Sequence, residues 1–371
     1  MRSGVASRPA KRSQVDAREF ARLVEDHESH MAGKGAARLL PRFIVAQGMD
    51  CDGRSLAQID FTGSDLGGTS FVGADLRGAT FRDANLSRCD LRDAILVGAD
   101  LRGSRFAGAK MTGAVLDGAN LSAATLCLTD ENNNLLRTPL GAQISGAKLD
   151  GAVFDESMAF GIDFSNCSLR GAKFRQANLR HALFVDANLD GAELRGARLG
   201  GARFDGAILT GVKLDRASLA PSAMRGCVLD VTAIAMGRLG EIREQIDRAG
   251  VWVRTNGEGG APAVLDGFDL RPAKTEFAKR PLAASSMRGV TAVGVSFAGA
   301  VLVAANFEGA DLRGADFTGA DLRGASFKSA KLAHANFQGA NVSPLPLADG
   351  RKRAVNFEGA TLDGTGLVQL V

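Results

Sequence analysis

Every fifth residue between Asn306 and Asn341 is large and apolar: Phe307, Leu312, Phe317, Leu322, Phe327, Leu332 and Phe337. Two positions before each stands an alanine, from Ala305 to Ala335. A helix repeats its apolar face about every 3.6 residues and a half-buried strand every second one, so a five-residue period fits neither. In an extended segment, alternate residues point the same way. The alanine and the large residue therefore face inward together, and the residues between units turn a corner. Glycine is frequent at those corners (Gly309, Gly314, Gly319, Gly324), as expected where a positive φ or a crowded backbone excludes a side chain. Each pentapeptide then forms one side of a polygonal coil.

Phenylalanine and leucine alternate in this stretch, so phenylalanine recurs at 307, 317, 327 and 337, and earlier at Phe154, Phe164, Phe174 and Phe184. That spacing supports an even-sided coil. A four-sided one would stack Phe307 over Phe327 and Phe317 over Phe337. Tandem A-D-L-x-G and A-N-F-x-G units resemble the pentapeptide repeat family over roughly two thirds of the chain. The resemblance implies an all-β solenoid, a right-handed quadrilateral parallel β-helix whose inward residues are the alanines and the leucines or phenylalanines.

Breaks in the period divide the chain. Residues 1–53 comprise a basic tail (Arg2, Arg8, Lys11, Arg12) and a segment with Phe20, Leu23, Val24, His27 and Met31 at helical spacing. A helix from about 14 to 31 follows, started by Ser13 and Asp16. The family resemblance makes it a cap on the first coil, with partner binding as the alternative. Repeats run over 54–230, from Leu56 to Leu126 and again from Ile144, interrupted by a polar, turn-rich loop at 128–141. Ala159 stands in a slot meant for a large residue, beside Phe160 and Ile162, and predicts a bulge there.

Residues 231–283 lack the period. Ala235, Leu239, Ile242 and Ile246 form a helical face ended by Gly250, VWVRT reads as a short strand, and 255–262 as a flexible loop. This segment, which holds the single tryptophan, Trp252, reads as a helical insertion that either joins two solenoids or packs on the flank of one. A second repeat segment follows over 284–371, interrupted by a basic loop at 343–355 with Arg351, Lys352 and Arg353. The final LVQLV is apolar, so a coil end there calls for a cover, and the family resemblance points to a homodimer through a solenoid end.

The chemistry of catalysis finds little support. His27, His30, His181 and His334 do not form a metal-ligand set, no nucleophile elbow or complete phosphate loop is present, and no cofactor is called for. Cys89, Cys167 and Cys227 sit in the small inward slot and read as reduced filler. No apolar run reaches the roughly 18 residues of a membrane span, and the amino terminus is polar, which predicts a cytosolic protein.

Charge separates the remaining functions. The repeat blocks carry 8 basic and 8 acidic residues over 54–126, 11 and 10 over 142–230, and 8 and 7 over 284–371. Some members of the family mimic duplex DNA and act on a type II topoisomerase, gyrase. Near-neutral blocks lack the negative field such a mimic needs, and equally the basic face that direct nucleic-acid binding needs. A non-catalytic scaffold for a protein partner is the leading expectation, with the gyrase-directed mimic as its alternative. The candidate contact residues are Asn132, Asn133, Asn134 and Arg137 in the first loop, Trp252 in the helical segment, and Arg351, Lys352 and Arg353 in the basic loop.

Overall fold

The computed structural model describes residues 12–34, 40–127, 141–213, 221–362, 364–365 and 367. The chain divides into two compact units, Met1–Asp230 and Val231–Val371. The first begins with β1 (Ser13–Gln14), parallel to β2 (Ile44–Val45), and between them α1 (Ala17–Met31). The carboxylate of Asp16 accepts from the Arg18 and Glu19 amides at 2.9 and 2.8 Å, satisfying two of the donors that a helix start leaves open. The helix is therefore shorter than the expected 14–31: Ser13 and Gln14 are strand, and Asp16 alone is the cap.

From Val45 onward, parallel bridges link each side to the residue twenty places on: Val45 to Asp65, Asp50 to Ser70, Ser55 to Asp75 and Asp60 to Thr80. Four pentapeptides thus close one coil. Within a unit the large residue's carbonyl accepts from the amide three places later, as Phe71 does from Ala74 at 3.0 Å. The residue before that amide has positive φ (Gly73, +64°), which is a type II turn. The large residue donates its own amide forward (Leu56 to the Asp75 carbonyl, 2.8 Å), and the residue before it donates back (Asp75 to the Arg54 carbonyl, 2.9 Å). Each coil bonds only to its neighbours, so donors and acceptors are left over where a stack ends and a neighbour is missing.

Two further expectations need correction in this unit. The coil begins at Val45 rather than after residue 53, because Ala46 and the fully buried Cys51 fill inward slots where a large residue was sought. No bulge occurs at Ala159: its amide donates to the Asn178 carbonyl at 3.0 Å and Met158 bridges both Thr125 and Asn178. Ile162, in the neighbouring small slot, is also buried, so bulk has moved from one inward position to the next. Across the loop the ladder continues directly, with Lys110 bridged to Gln143 and Val115 to Lys148.

The second unit opens with α2 (Ala233–Gly237), capped by the Thr232 hydroxyl, and α3 (Leu239–Arg254). VWVR belongs to α3 and is not a strand. Residues 255–262 turn back tightly on the helix: the Thr255 hydroxyl accepts from the Gly259 amide at 3.0 Å, and a side chain at Gly260 would collide with the Arg248 carbonyl. The coil starts at Val264, bridged to Ser286, well before residue 284. A short 3₁₀ turn, Arg271–Ala273, accommodates the two extra residues of that first coil. The basic loop is a hairpin of β3 (Leu345–Pro346) and antiparallel β4 (Lys352–Arg353).

Both cores are stacks. Phe154 lies over Phe174 with ring centres 4.8 Å apart and planes 10° apart, and Phe164 over Phe184 at 5.0 Å and 3°. The two columns meet edge to face, Phe154 against Phe164 at 5.7 Å and 88°. In the second unit Phe307 stacks on Phe327 at 5.1 Å and Phe317 on Phe337 at 5.0 Å, the vertical pairing that four sides demand.

Candidate interaction surfaces

The outward residues of the D-L-R units face each other across the large residue. Asp75 is bonded by Arg77 through Nε and Nη2 at 2.9 and 2.6 Å, and the same fork joins Arg92 to Asp90 and Arg102 to Asp100. The second unit repeats it with Arg271 and Asp269, Arg313 and Asp311, and Arg323 and Asp321. A two-toothed guanidinium pair holds both charges in one geometry. The Arg77, Arg92 and Arg323 guanidinium groups hold the carboxyls of Asp75, Asp90 and Asp321 below the usual carboxylate range. One corner of the second unit alternates along its axis, Asp266, Arg288, Glu308, Lys328 and Glu358, with Arg288 on Glu308 at 3.4 Å and Lys328 on Glu358 at 3.1 Å. The near-neutral totals therefore reflect pairing residue by residue rather than opposed charged faces.

The open edges are closed by helices. In the first unit Glu28 Oε1 accepts from the Ser55 amide at 2.9 Å while its carboxylate takes a fork from Arg54, and His27 Nε2 donates to the Ala57 carbonyl at 3.0 Å. Burial works against the Glu28 carboxylate, yet the bonds from Arg54 and Ser55 outweigh it and keep the acid below its ordinary range. In the second unit Gln245 Oε1 accepts from the Val264 amide at 3.1 Å. The buried cysteines are spent on the ladder: Cys89 Sγ donates to the Leu66 carbonyl and Cys167 Sγ to that of Ile144, both at 3.1 Å. Burial pushes both thiols up to about 12, far from the thiolate a reactive cysteine needs.

Of the residues singled out as contacts, Asn132, Asn133, Asn134 and Arg137 lie outside the described residues. Trp252 is half-buried on α3, its indole against the Gly257 turn. Arg351, Lys352 and Arg353 are all exposed on the hairpin. Arg351 pairs with Asp349 at 2.6 Å, whereas Lys352 and Arg353 have no acid within ion-pair distance among the described residues.

A family model for pentapeptide repeats matches in 8 copies, over residues 55–93, 94–130, 141–176, 162–201, 187–229, 282–319 and 310–343, more than half of the chain. The chain belongs to the pentapeptide repeat family. Membership implies the right-handed quadrilateral β-helix, and proteins of this family are generally interaction or structural scaffolds rather than enzymes. Among solved pentapeptide repeat structures, trypsin-treated QnrB1, a plasmid-mediated fluoroquinolone resistance protein, is 22% identical. That match covers 54% of this chain and 97% of QnrB1, with a TM-score of 0.36. HetL, from the cyanobacterium Nostoc and involved in heterocyst differentiation regulation, is 21% identical over 95% of this chain and 96% of its own, with a TM-score of 0.18. A pentapeptide repeat protein of the Arabidopsis thaliana thylakoid lumen is 29% identical over 38% of this chain and 69% of its own, with a TM-score of 0.14. At those scores the family rests on the repeat match alone. A comparison with curated proteins finds no significant match.

Other surfaces of this pentapeptide repeat chain offer less. A depression of about 380 Å³ on the first unit is lined by Gln47, Gly67, Asn85, Ser87, Arg88 and Ala107, and exists because small residues occupy successive corners. Asn85 and Gln47 are already bonded to Asp65 at 2.8 Å each. Among the described residues no group of three or more His, Cys, Asp or Glu is placed to hold a metal, and no helix is long and apolar enough to cross a membrane.

Proposed function

We propose that this protein is a non-catalytic, cytosolic scaffold that binds a protein partner through elements projecting from its coils. The observation that carries this reading is the β3–β4 hairpin. It interrupts a ladder that repeats every twenty residues through the coils before it, from Pro281 to Asn341, and among the described residues it presents Lys352 and Arg353 without acids beside them, on a chain whose outward arginines are otherwise widely paired. Elements of this kind on a rigid frame are where recognition concentrates. The 128–141 loop and Trp252 are further contact elements of the proposal, and a homodimer through a solenoid end is a second form the partner could take.

The gyrase-directed DNA mimic is disfavoured by the forked Asp–Arg pairs, since a carboxylate already bound by its own guanidinium presents no phosphate-like field. Affinity capture from native cytosol, with the intact chain and a Lys352→Glu, Arg353→Glu form as baits, tests the reading. A specific partner lost with the charge reversal is expected. Recovery of gyrase subunits together with inhibition of supercoiling would replace the scaffold with the mimic, and capture of no specific partner by either bait would overturn it.

A further inference from the structure

We propose that one side of the second unit is a docking strip for an acidic, apolar peptide segment of a partner protein; this rests on the scaffold reading and specifies the partner's chemistry. The side is the one whose bridges run from Pro281 to Val301, Asp321 and Asn341. Its first two coils are apolar on the outside: Val301 is 36% exposed, and Val303 and Pro281 are half-buried. The corners beside them are Ala284 and Ala304, held at φ of 57° and 58°, a backbone region where glycine is the usual choice. Methyl groups are thus kept at this corner against the conformational preference of the chain.

Two coils further along, the same side turns basic. The hairpin leaves the coil after Asn341 and folds back over the corner at Gly324, where a side chain would meet Leu345 at 3.0 Å and the Arg353 stem at 3.5 Å. Arg323 is neutralised by Asp321, so the uncompensated charge of this end comes from Lys352 and Arg353, with Leu347, 37% exposed, nearby at the tip. Coils lie about 4.8 Å apart, so Pro281 and Asn341 are separated by about 14 Å, the reach of about four extended residues.

The occupant follows from that layout. The ladder engages the amides of Val301, Leu302, Ala304, Asp321, Leu322 and Asn341, so recognition falls chiefly to side chains: apolar contact at one end and carboxylates at the other. A nucleic-acid strand needs cations along its whole length and aromatic faces for its bases; between Arg254, which lies beside Pro281, and the Lys352–Arg353 pair this side has only Arg323, already paired with Asp321, and its exposed apolar half has no aromatic residue. A peptide with two or three apolar residues followed closely by acidic ones matches both halves.

A fluorescein-labelled peptide of Leu-Val-Leu followed by Glu-Glu-Asp-Glu, titrated with the full chain and read by anisotropy, is the probe. Binding is expected, weakening about tenfold or more when the four acids become amides, in the Lys352→Glu, Arg353→Glu chain, and in the Val301→Ser, Val303→Ser chain. Both pairs of positions face solvent, and an unchanged far-UV spectrum and melting temperature qualify the variants. No binding, equal binding by parent and variants, or a duplex DNA oligonucleotide displacing the peptide at equal concentration would each overturn the strip. Hairpin-dependent capture of a partner without peptide binding would leave the scaffold standing and the strip wrong. Peptide binding without any captured partner would do the reverse.

Discussion

Both units begin with a helix laid over the first coil, and they meet the same backbone demand with different side chains. Ser55 and Val264 hold the same position, one residue before the inward Leu56 and Leu265, and each has a backward-pointing amide with no earlier coil to receive it. Glu28 takes the first and Gln245 the second, each through Oε1. The apolar closures differ as well. Phe20 of α1 stacks on Phe61 at 6.1 Å and 20°, extending the phenylalanine column one step beyond the coils. In α3, Ile242, Ile246 and Ala249 are buried, and the Arg238 guanidinium sits 3.3 Å from the centre of the Phe268 ring. A coil edge therefore demands an acceptor at one place and apolar cover over the column ends, and leaves the chemistry of both open. It also follows that residues 231–283 are the opening of the second β-helix and not a separate module.

If each unit carries its own cap, each should fail alone. Phe184→Asp and Phe317→Asp bury an unpaired charge in a column of rings and should each cost more than about 5 kcal/mol. Hydrogen exchange should show loss of protection confined to 45–230 for the first and to 264–362 for the second; loss across both units from either substitution would break the comparison. Removing the cover is the next largest effect. Phe20→Ala should cost about 3–5 kcal/mol and Ile246→Ala about 2–5 kcal/mol, read as denaturant midpoints of the affected unit.

The edge acceptors sharpen the contrast. Gln245→Leu leaves the Val264 amide without its acceptor and should cost about 1–3 kcal/mol. Glu28→Gln keeps an acceptor for Ser55 but loses the charge paired with Arg54, so its cost should be smaller. The two caps also differ in pH response. The Glu28 carboxyl is held below its unfolded-state value, so its contribution is complete above that value, about 4.3, and disappears as pH falls through the lower folded one. Gln245 does not titrate. Between pH 7 and pH 3, protection of the Ser55 amide should fall relative to that of Val264 after correction for intrinsic exchange. An equal change at both would show that Glu28 does not act through its charge.

The four-sided coil and the vertical phenylalanine pairs were legible because a narrow core imposes the same small-then-large pair on every fifth residue. The starts of the coils were not. Ala46 and Cys51 are small where the rule wants bulk, and helix and strand cover that coil edge instead. Leu265, Leu270, Phe277 and Leu282 fall out of step because the turn at Arg271–Ala273 adds two residues. VWVR has the β-branched composition of a strand, but Ile242, Ile246, Ala249 and Val253 keep helical spacing through it, and packing of that face prevails. Of the candidate surfaces, the basic loop could be read from composition, though its hairpin form could not. Charge totals hid the pairing, but the spacing of Asp75 and Arg77, both outward and on either side of Leu76, contained it.

The smallest effect probes where that pairing lapses. The corner column of the second unit alternates in sign, whereas in the first Asp117 is followed one coil on by Asp150. Asp117 has Val115, not an acid–arginine partner, two places before it; burial, with Asp150 adding to it, raises its carboxyl above the ordinary range although its Oδ1 accepts from the Asp150 amide at 2.9 Å. A raised folded-state value means that ionisation favours the unfolded chain, so this carboxylate subtracts stability as pH rises through that value. Asn at this position retains an oxygen acceptor for the Asp150 amide and removes the charge. Asp117→Asn should therefore stabilise the first unit at pH 7, by about 0.5 kcal/mol or less because solvent screens a half-exposed group, and the gain should vanish at pH 3, where both side chains are neutral. A melting temperature lowered at pH 7 would show instead that the carboxylate is fixed by a cation, and that the first unit's corner is balanced as fully as the second's.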